Sequence, residues 1–158
     1  MKVKPWKNYV FWIVFTEAVG FISGLITRDG TELYKYSVVK PPLSPPAIVF
    51  PIAWVILYAL MGIGMARVSL TSPSAKRRSA TYIYLFQLAL NFFWSIIFFN
   101  AEAYAVAFFW LLALLGAIIL MTVSFNKLDR TAALLQIPYV IWVAFAGYLN
   151  LGVWLLNR

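Results

Sequence analysis

Apolar residues in this chain run in five long blocks, divided by short polar breaks and one long one. The blocks extend from about Asn8 to Thr27, Pro46 to Ser69, Ala80 to Asn100, Tyr104 to Phe125 and Thr131 to Leu156. A helix needs roughly 20 mostly apolar residues to cross about 30 Å of hydrocarbon, and each block reaches that length. Inside the blocks the apolar positions have little one-sided helical period. Each predicted helix is therefore hydrophobic on most faces, as a lipid-exposed helix is. The blocks are too long for the alternating strands of an outer-membrane barrel. Asn100 to Tyr104 and Asn126 to Arg130 are tight connections, and Arg67 to Ser79 is a basic one. The connection from Arg28 to Pro45 is long. Pro41, Pro42, Pro45 and Pro46 exclude regular helix around them and favour an extended, stiffened path. A segment this long in a compact membrane domain is a lid or a linker. Tyr34, Tyr36, Val38, Val39 and Leu43 make it too apolar for a plain linker, so a lid is expected.

Composition narrows the class. Of 158 residues, 63% are hydrophobic and 11% charged, against roughly 45–50% and 25% in a soluble domain. So few charges cannot cover a surface in water, which excludes a soluble domain, a disordered tail and a nucleic-acid module. The expected fold is all-α: an integral membrane bundle of five transmembrane helices, forming a single domain over residues 1–158. The net charge of +8 orients the chain rather than gripping nucleic acid. Lys2, Lys4, Lys7, the Arg67–Ser79 connection, Lys127 and Arg130 place nine basic residues on one side; Arg28, Lys35, Lys40 and Arg158 place four on the other. The positive-inside rule then puts the N-terminus in the cytoplasm and the proline-rich loop between helices 1 and 2 outside. The first block is too long for a signal peptide and has no small-residue cleavage site, so it is read as retained. No internal repeat favours an inverted-repeat transporter. With 0 Cys and 0 His there is no thiolate metal site, no cysteine nucleophile and no histidine base or haem ligand.

A few side chains stand out at membrane depth. Glu17 lies near the middle of the first span, where an ionised carboxylate costs about 2.5–3.5 kcal/mol. It is either a proton-coupling or ligand-binding acid, or a neutral carboxyl bonded to a neighbouring helix. Gln87, Asn91, Trp94 and Phe98 recur on one helical face, and Asn91 is either interhelical glue or a polar anchor in a pocket. Trp142, Ala146, Leu149 and Asn150 share a face of the fifth span, preceded by Pro138, which can kink it. The second span carries Pro51, Trp54, Tyr58, Met61 and Met65. Interfacial anchoring accounts for Trp6, Trp12 and Trp154 but fits Trp142 poorly. Trp54, Trp94 and Trp142 serve either as core packing or as walls of a cavity for a flat aromatic ligand. Gly20 with Gly24, Gly62 with Ala66, and Ala113 with Ala117 are small pairs that permit close helix contact or a dimer.

Three segments carry a family likeness. KPPLSPPAIVFPIAWVILYALMGIG (40–64), QLALNFFWSIIFF (87–99) and PYVIWVAFAGYLN (138–150) occur in order at matching spacing. The sequence resembles the tryptophan-rich sensory protein and translocator protein family, also known as the peripheral benzodiazepine receptor family, over nearly its whole length. The resemblance implies a five-helix bundle, often a homodimer, with a pocket open toward the proline-rich loop. It implies binding of porphyrins, notably protoporphyrin IX, and of benzodiazepine-site ligands such as isoquinoline carboxamides. For some bacterial members it implies light- and oxygen-dependent porphyrin breakdown. By position the implied pocket residues are Tyr34, Trp54, Tyr58, Asn91, Trp94, Trp142, Ala146 and Leu149. The chain departs from the family in two places. LNLGVWLLNR has Trp154 where a sterol-recognition pattern needs Tyr, and Val106 stands where some relatives carry a tryptophan. The chain starts too abruptly for a mitochondrial transit peptide, so a bacterial plasma membrane is expected.

These residues imply specific chemistry. Indoles supply stacking and apolar burial for a macrocycle, and Arg28, Lys35 or Lys40 can pair with its propionates. No resident cofactor and no metal site are expected; protoporphyrin IX is ligand or substrate. Without His or Cys, metal-free porphyrin is preferred over axially ligated haem. In photo-oxidation, Trp54 and Trp142 would be the electron donors and the porphyrin would carry the chemistry. The alternative is a proton-coupled transporter of hydrophobic or tetrapyrrole ligands built on Glu17.

Overall fold

The structure is a computed structural model that describes residues 4–158; Lys2, one of the nine basic residues counted above, lies outside the described residues. Among the described residues seven helices follow one another: α1 (Pro5–Ile26), α2 (Arg28–Ser37), α3 (Val49–Ser69), α4 (Ala75–Ser95, continued by a π-helical turn at Ile96–Asn100), α5 (Tyr104–Asn126), α6 (Arg130–Leu134) and α7 (Ile137–Leu156). Among the described residues five helical segments are long and apolar enough to cross a membrane, the last made of α6 and α7 together.

The expected helix bounds shift where local chemistry overrides hydropathy. α4 begins at Ala75, well before Ala80, because Ser74 caps it by accepting the Arg77 N–H at 3.1 Å. The basic turn Lys76–Arg78 is helical despite its charge. α3 begins at Val49 rather than Pro46, after a turn in which Val49 N–H donates to the Pro46 carbonyl at 2.9 Å. The fifth block divides at Leu135–Gln136, just before Pro138, which sits in the first turn of α7 where its missing N–H costs nothing. The largest difference is in the long connection. Its first half is not loop but the amphipathic helix α2, with Asp29 in its first turn and Lys35 in its last, both favourable to the helix dipole. Helix stops short of Pro41, as proline requires. The remainder is not a straight extended path but a pair of turns, with Ser44 Oγ donating to the Pro41 carbonyl at 2.7 Å and Leu43 held at a left-handed φ of 65°.

Packing is antiparallel between neighbours. α1 lies most intimately along α3, α4 along α5, and α5 along α7, whereas α3 and α7 approach each other along little of their backbones. Glycine makes the first of these contacts possible. A Cβ on Gly62 would meet the Ile13 Cα at 2.6 Å, and one on Gly20 would collide with the Tyr58 ring. Gly20 and Gly62 are thus spent inside one protomer, while Gly24 and Gly116 face open space. The core between the helices is built from Tyr84, Tyr139, Phe125, Met61, Met65 and Met121.

The described basic residues of the nine gather at the end of the bundle where α1, α4 and α6 begin and α3 and α5 finish. There Arg67 Nε and Nη2 donate to both carboxylate oxygens of Asp129, at 3.0 and 2.8 Å, and Asp129 also caps α6 by accepting the Ala132 N–H at 2.7 Å. The hydrogen bond from Arg67 holds the Asp129 carboxyl below its ordinary range, against the desolvation that would raise it. A depressed carboxyl stabilises the fold fully above its unfolded pKa, and the contribution is lost as pH falls through the folded value. Asp129→Ala is therefore expected to cost about 1–2 kcal/mol near neutral pH. That difference should begin to narrow below about pH 4 and close as pH falls through the depressed folded value, as thermal unfolding in detergent across pH would record.

Candidate ligand-binding site

The polar residues of α4 build the centre of the site. Its inward face carries Gln87, Asn91, Trp94 and Phe98, all buried. The hydrocarbon of a bilayer offers no hydrogen bonds, so each amide is satisfied by another helix. Tyr58 of α3 donates to Asn91 Oδ1 at 3.1 Å, and Asn91 Nδ2 donates to the Tyr139 hydroxyl of α7 at 2.6 Å. Tyr139 in turn donates to Gln87 Oε1 at 2.9 Å. One chain of hydrogen bonds thus joins α3, α4 and α7. A second joins α4, α7 and α5: Trp94 Nε1 donates to Asn150 Oδ1 at 3.1 Å, and Asn150 Nδ2 donates to the Tyr104 carbonyl at 2.8 Å. Asn91 is therefore interhelical glue in this conformation, with both ends of its amide committed.

Aromatic rings stand around this frame. Trp54 lies half-buried against the rings of Tyr58, at 5.5 Å between centroids, and Tyr139, at 6.3 Å. Trp142, also half-buried, meets Phe50 of α3 at 6.0 Å and Phe145 at 5.9 Å. Trp94 is buried and stacks on Phe98 at 5.3 Å. Each of the three indoles thus packs among its own partners. Trp54 and Trp142 close the seam between α3 and α7 by side chains alone, where the backbones stay apart. Ala146 packs half-buried on the α7 face that follows Trp142, and Leu149 is buried one turn further on.

The connection after α1 covers this end as a cap. α2 rests on the π-helical turn, with Gly30 against the Phe99 carbonyl and Asn100 Nδ2 donating to the Ile26 carbonyl at 3.0 Å. Tyr34 points inward onto Phe98 and Phe99, at 5.4 and 5.5 Å, which links it to the surroundings of Trp94. Burial pushes its phenol above the ordinary range. Lys40 Nζ lies 5.3 Å from the Tyr34 ring centre and donates to the Lys35 carbonyl at 2.9 Å. The proline segment is fastened to α7. Asn157 accepts the Val39 N–H at 2.9 Å and donates to the Val39 carbonyl at 2.8 Å; Tyr148 donates to the Pro42 carbonyl at 2.8 Å; and buried Pro41 fits where Gly152 has no side chain.

Two shallow, open hollows lie elsewhere. A groove of about 390 Å³ on the outer face of α4 and α5 is lined by Tyr82, Phe86, Ala113 and Gly116 among others, and a cleft of about 250 Å³ surrounds Arg67 and Asp129. Neither touches Trp54, Trp94 or Trp142. Of the residues singled out in the sequence, Tyr58 and Asn91 are joined directly; Trp54 and Trp142 share the α3–α7 seam; Tyr34 and Trp94 share Phe98. Tyr139 was not singled out, although it holds the network together. Its signal was available, since Tyr139, Trp142, Ala146 and Asn150 recur at helical spacing after Pro138. Phe50 was also missed, hidden between prolines.

The sequence profile of the TspO/MBR family matches residues 12–155. The chain belongs to the TspO/MBR family. Its relatives include the Tryptophan-rich protein TspO of Chlorobaculum tepidum, 33% identical over 89% of each chain. The Tryptophan-rich sensory protein of Cereibacter sphaeroides is 35% identical over 96% of this chain and 92% of its own. The Translocator protein of Bos taurus is 31% identical over 98% of this chain and 92% of its own. As a TspO/MBR protein with five apolar helical segments, the chain is a multi-pass membrane protein. Its hydrogen-bonded frame gives a direct test. Tyr139→Phe removes two bonds and leaves Asn91 Nδ2 and Gln87 Oε1 buried without partners. It is expected to destabilise the bundle by about 1–2 kcal/mol, measured as unfolding in mixed detergent.

Proposed function

We propose that this TspO/MBR protein is a membrane receptor for flat, apolar ligands: porphyrins, protoporphyrin IX above all, and the isoquinoline carboxamide and benzodiazepine class. The ligand sits between α3, α4 and α7 beneath the α2–proline cap. The observation that carries this reading is the seam between α3 and α7. There two half-buried indoles, Trp54 and Trp142, substitute for backbone contact within reach of a tethered cap. Rings at such a seam can turn aside for a planar guest and then lie along its faces, which supplies apolar burial, while a few polar groups fix its orientation. Arg28, Lys35 and Lys40 on the cap offer charge to propionates at the outer edge. The family relatives named as a sensory protein and as a translocator agree with a role that begins with a bound ligand. The protein acts in a bacterial plasma membrane, with its basic end in the cytoplasm, as a homodimer.

Light-dependent turnover follows from the same arrangement. An illuminated porphyrin passes an electron to dioxygen, and Trp54 or Trp142 refills the vacancy while its N–H proton goes to the superoxide. The hydroperoxyl radical so formed adds to the macrocycle, and the hydrogen atom returns to the tryptophanyl radical, leaving an intact indole and an oxygenated macrocycle. The protein's part is to place the donors and hold the macrocycle between these steps. A second reading, proton-coupled transport, is favoured by Glu17, which is half-buried at membrane depth and makes no ion pair among the described residues.

Titration of purified protein with protoporphyrin IX, dark and illuminated, is expected to give saturable quenching of tryptophan emission and, in light, a new absorption band. Trp54→Ala and Trp142→Ala should each weaken binding by about 1–3 kcal/mol, by analogy with stacking on bases. Trp142→Phe should keep binding and slow bleaching; unchanged bleaching would remove the indole from the electron path. Gradient-driven porphyrin uptake by sealed vesicles, abolished by Glu17→Gln, would replace the receptor with the transporter.

A further inference from the structure

Among the described residues two buried side-chain atoms lack any hydrogen-bond partner, Ser23 Oγ and Gln136 Oε1. Gln136 is at least anchored, since its Nε2 donates to the Leu60 and Ala132 carbonyls at 3.3 and 3.1 Å. The Ser23 hydroxyl has nothing, although the residue is only 3% exposed. At this depth water cannot compensate a lone hydroxyl, and native proteins rarely leave one unmatched without a reason.

Ser23 belongs to a face of α1. Thr16, Gly20, Ser23 and Thr27 recur at spacings of four, three and four. The other two hydroxyls on this face are matched. Thr16 bonds to Tyr84 and to the Trp12 carbonyl, and Thr27 donates to the Ser23 carbonyl at 2.9 Å. A serine in a helix can always turn back to the carbonyl one turn before it; Ser23 does not.

The depth of Ser23 follows from its neighbours. α1 and α3 run antiparallel, with Gly20 against Tyr58 and Gly62 against Ile13, so Ser23 falls level with Trp54, one turn nearer the cap than Tyr58. α4 runs parallel to α1 with Tyr84 opposite Thr16, which sets Ser23 level with Asn91 and Trp94. The unmatched hydroxyl is therefore at the depth of three candidate ligand residues, on a helix that contributes none of the eight implied pocket residues. Asn91, the obvious polar anchor at this level, has both ends of its amide bonded to tyrosine hydroxyls.

We propose that Ser23 is a ligand-binding residue whose hydroxyl donates a hydrogen bond to a carbonyl or carboxylate oxygen of the planar guest. The proposal rests on the receptor reading above and names the ligand chemistry it requires: a flat apolar body bearing an oxygen acceptor on the edge turned toward α1. In this structure the hydroxyl is buried without a partner. The guest reaches it as the rings along the α3–α7 seam swing aside, and it relieves a polar group that the bundle itself leaves unmatched.

This makes the two consequences of Ser23→Ala opposite in sign. In the full chain without ligand, Ser23→Ala is expected to raise Tm by about 2–4 °C, because an unmatched hydroxyl is removed. For protoporphyrin IX its Kd is expected to rise roughly five- to tenfold. For etioporphyrin, the same macrocycle with alkyl groups and no carboxylates, its Kd is expected to stay unchanged. Ser23→Thr keeps the hydroxyl and should bind protoporphyrin IX as the wild type does. The proposal is overturned if Ser23→Ala lowers Tm, if it weakens both porphyrins equally, or if it binds protoporphyrin IX with wild-type affinity. Wild-type binding with no effect of Ser23→Ala removes Ser23 and leaves the receptor standing. A wild type that binds neither protoporphyrin IX nor an isoquinoline carboxamide removes the receptor reading, and this one with it.

Discussion

A buried amide in a bilayer has no water to fall back on, and the bundle is organised around meeting that demand. Two tyrosine hydroxyls from different helices converge on Asn91, and one of them continues to Gln87. These bonds fix how α3, α4 and α7 are rotated relative to one another. Apolar contacts alone would fix this weakly, because lipid tails compete with side chains for the same surfaces. With rotation set, Trp54 and Trp142 fall at the seam between α3 and α7, and Trp94 turns inward toward Asn150. Fixed helix faces behind and half-buried rings in front are the features on which the proposed site for a flat molecule rests.

Much of this architecture was readable before any coordinates. Length and hydropathy mark five spans, because the bilayer imposes one thickness on every crossing. Side chains on the inward face of α4 were readable too, since Gln87, Asn91, Trp94 and Phe98 follow the helical period and polarity marks them out. Reading failed where tertiary contacts decide. α2 is short and amphipathic, with charges that suit a helix, but the glycine and prolines around it mask that signal, and its place is set by docking Gly30 and Tyr34 on the π-helical turn. Tyr139 looks like any interfacial tyrosine until Asn91 and Gln87 are seen on either side of its hydroxyl. The small pairs left two uses open. Gly20 and Gly62 were equally suited to a dimer, and only the opposing ring of Tyr58 and backbone of Ile13 assign them to internal packing.

The two ends of the molecule are built on different principles. At the basic end, charge does the joining: Arg67 and Asp129 tie α3 to the turn between α5 and α6, and Arg77 holds the carbonyls of Ser69 and Thr71. At the other end, the cap is fastened by neutral amide, phenol and proline contacts, each worth little alone. A firm base with a lightly held cover is the arrangement expected where one end must stay shut and the other must admit a guest.

The Asn157 clamp carries a practical consequence. Its side chain copies a backbone pairing with Val39 one residue before Arg158. A purification handle or fluorescent fusion joined directly after that arginine would crowd the cover's fastening point. Ligand affinities measured on such material would then report on the handle as much as on the protein, whereas fusions at the opposite terminus leave the clamp alone.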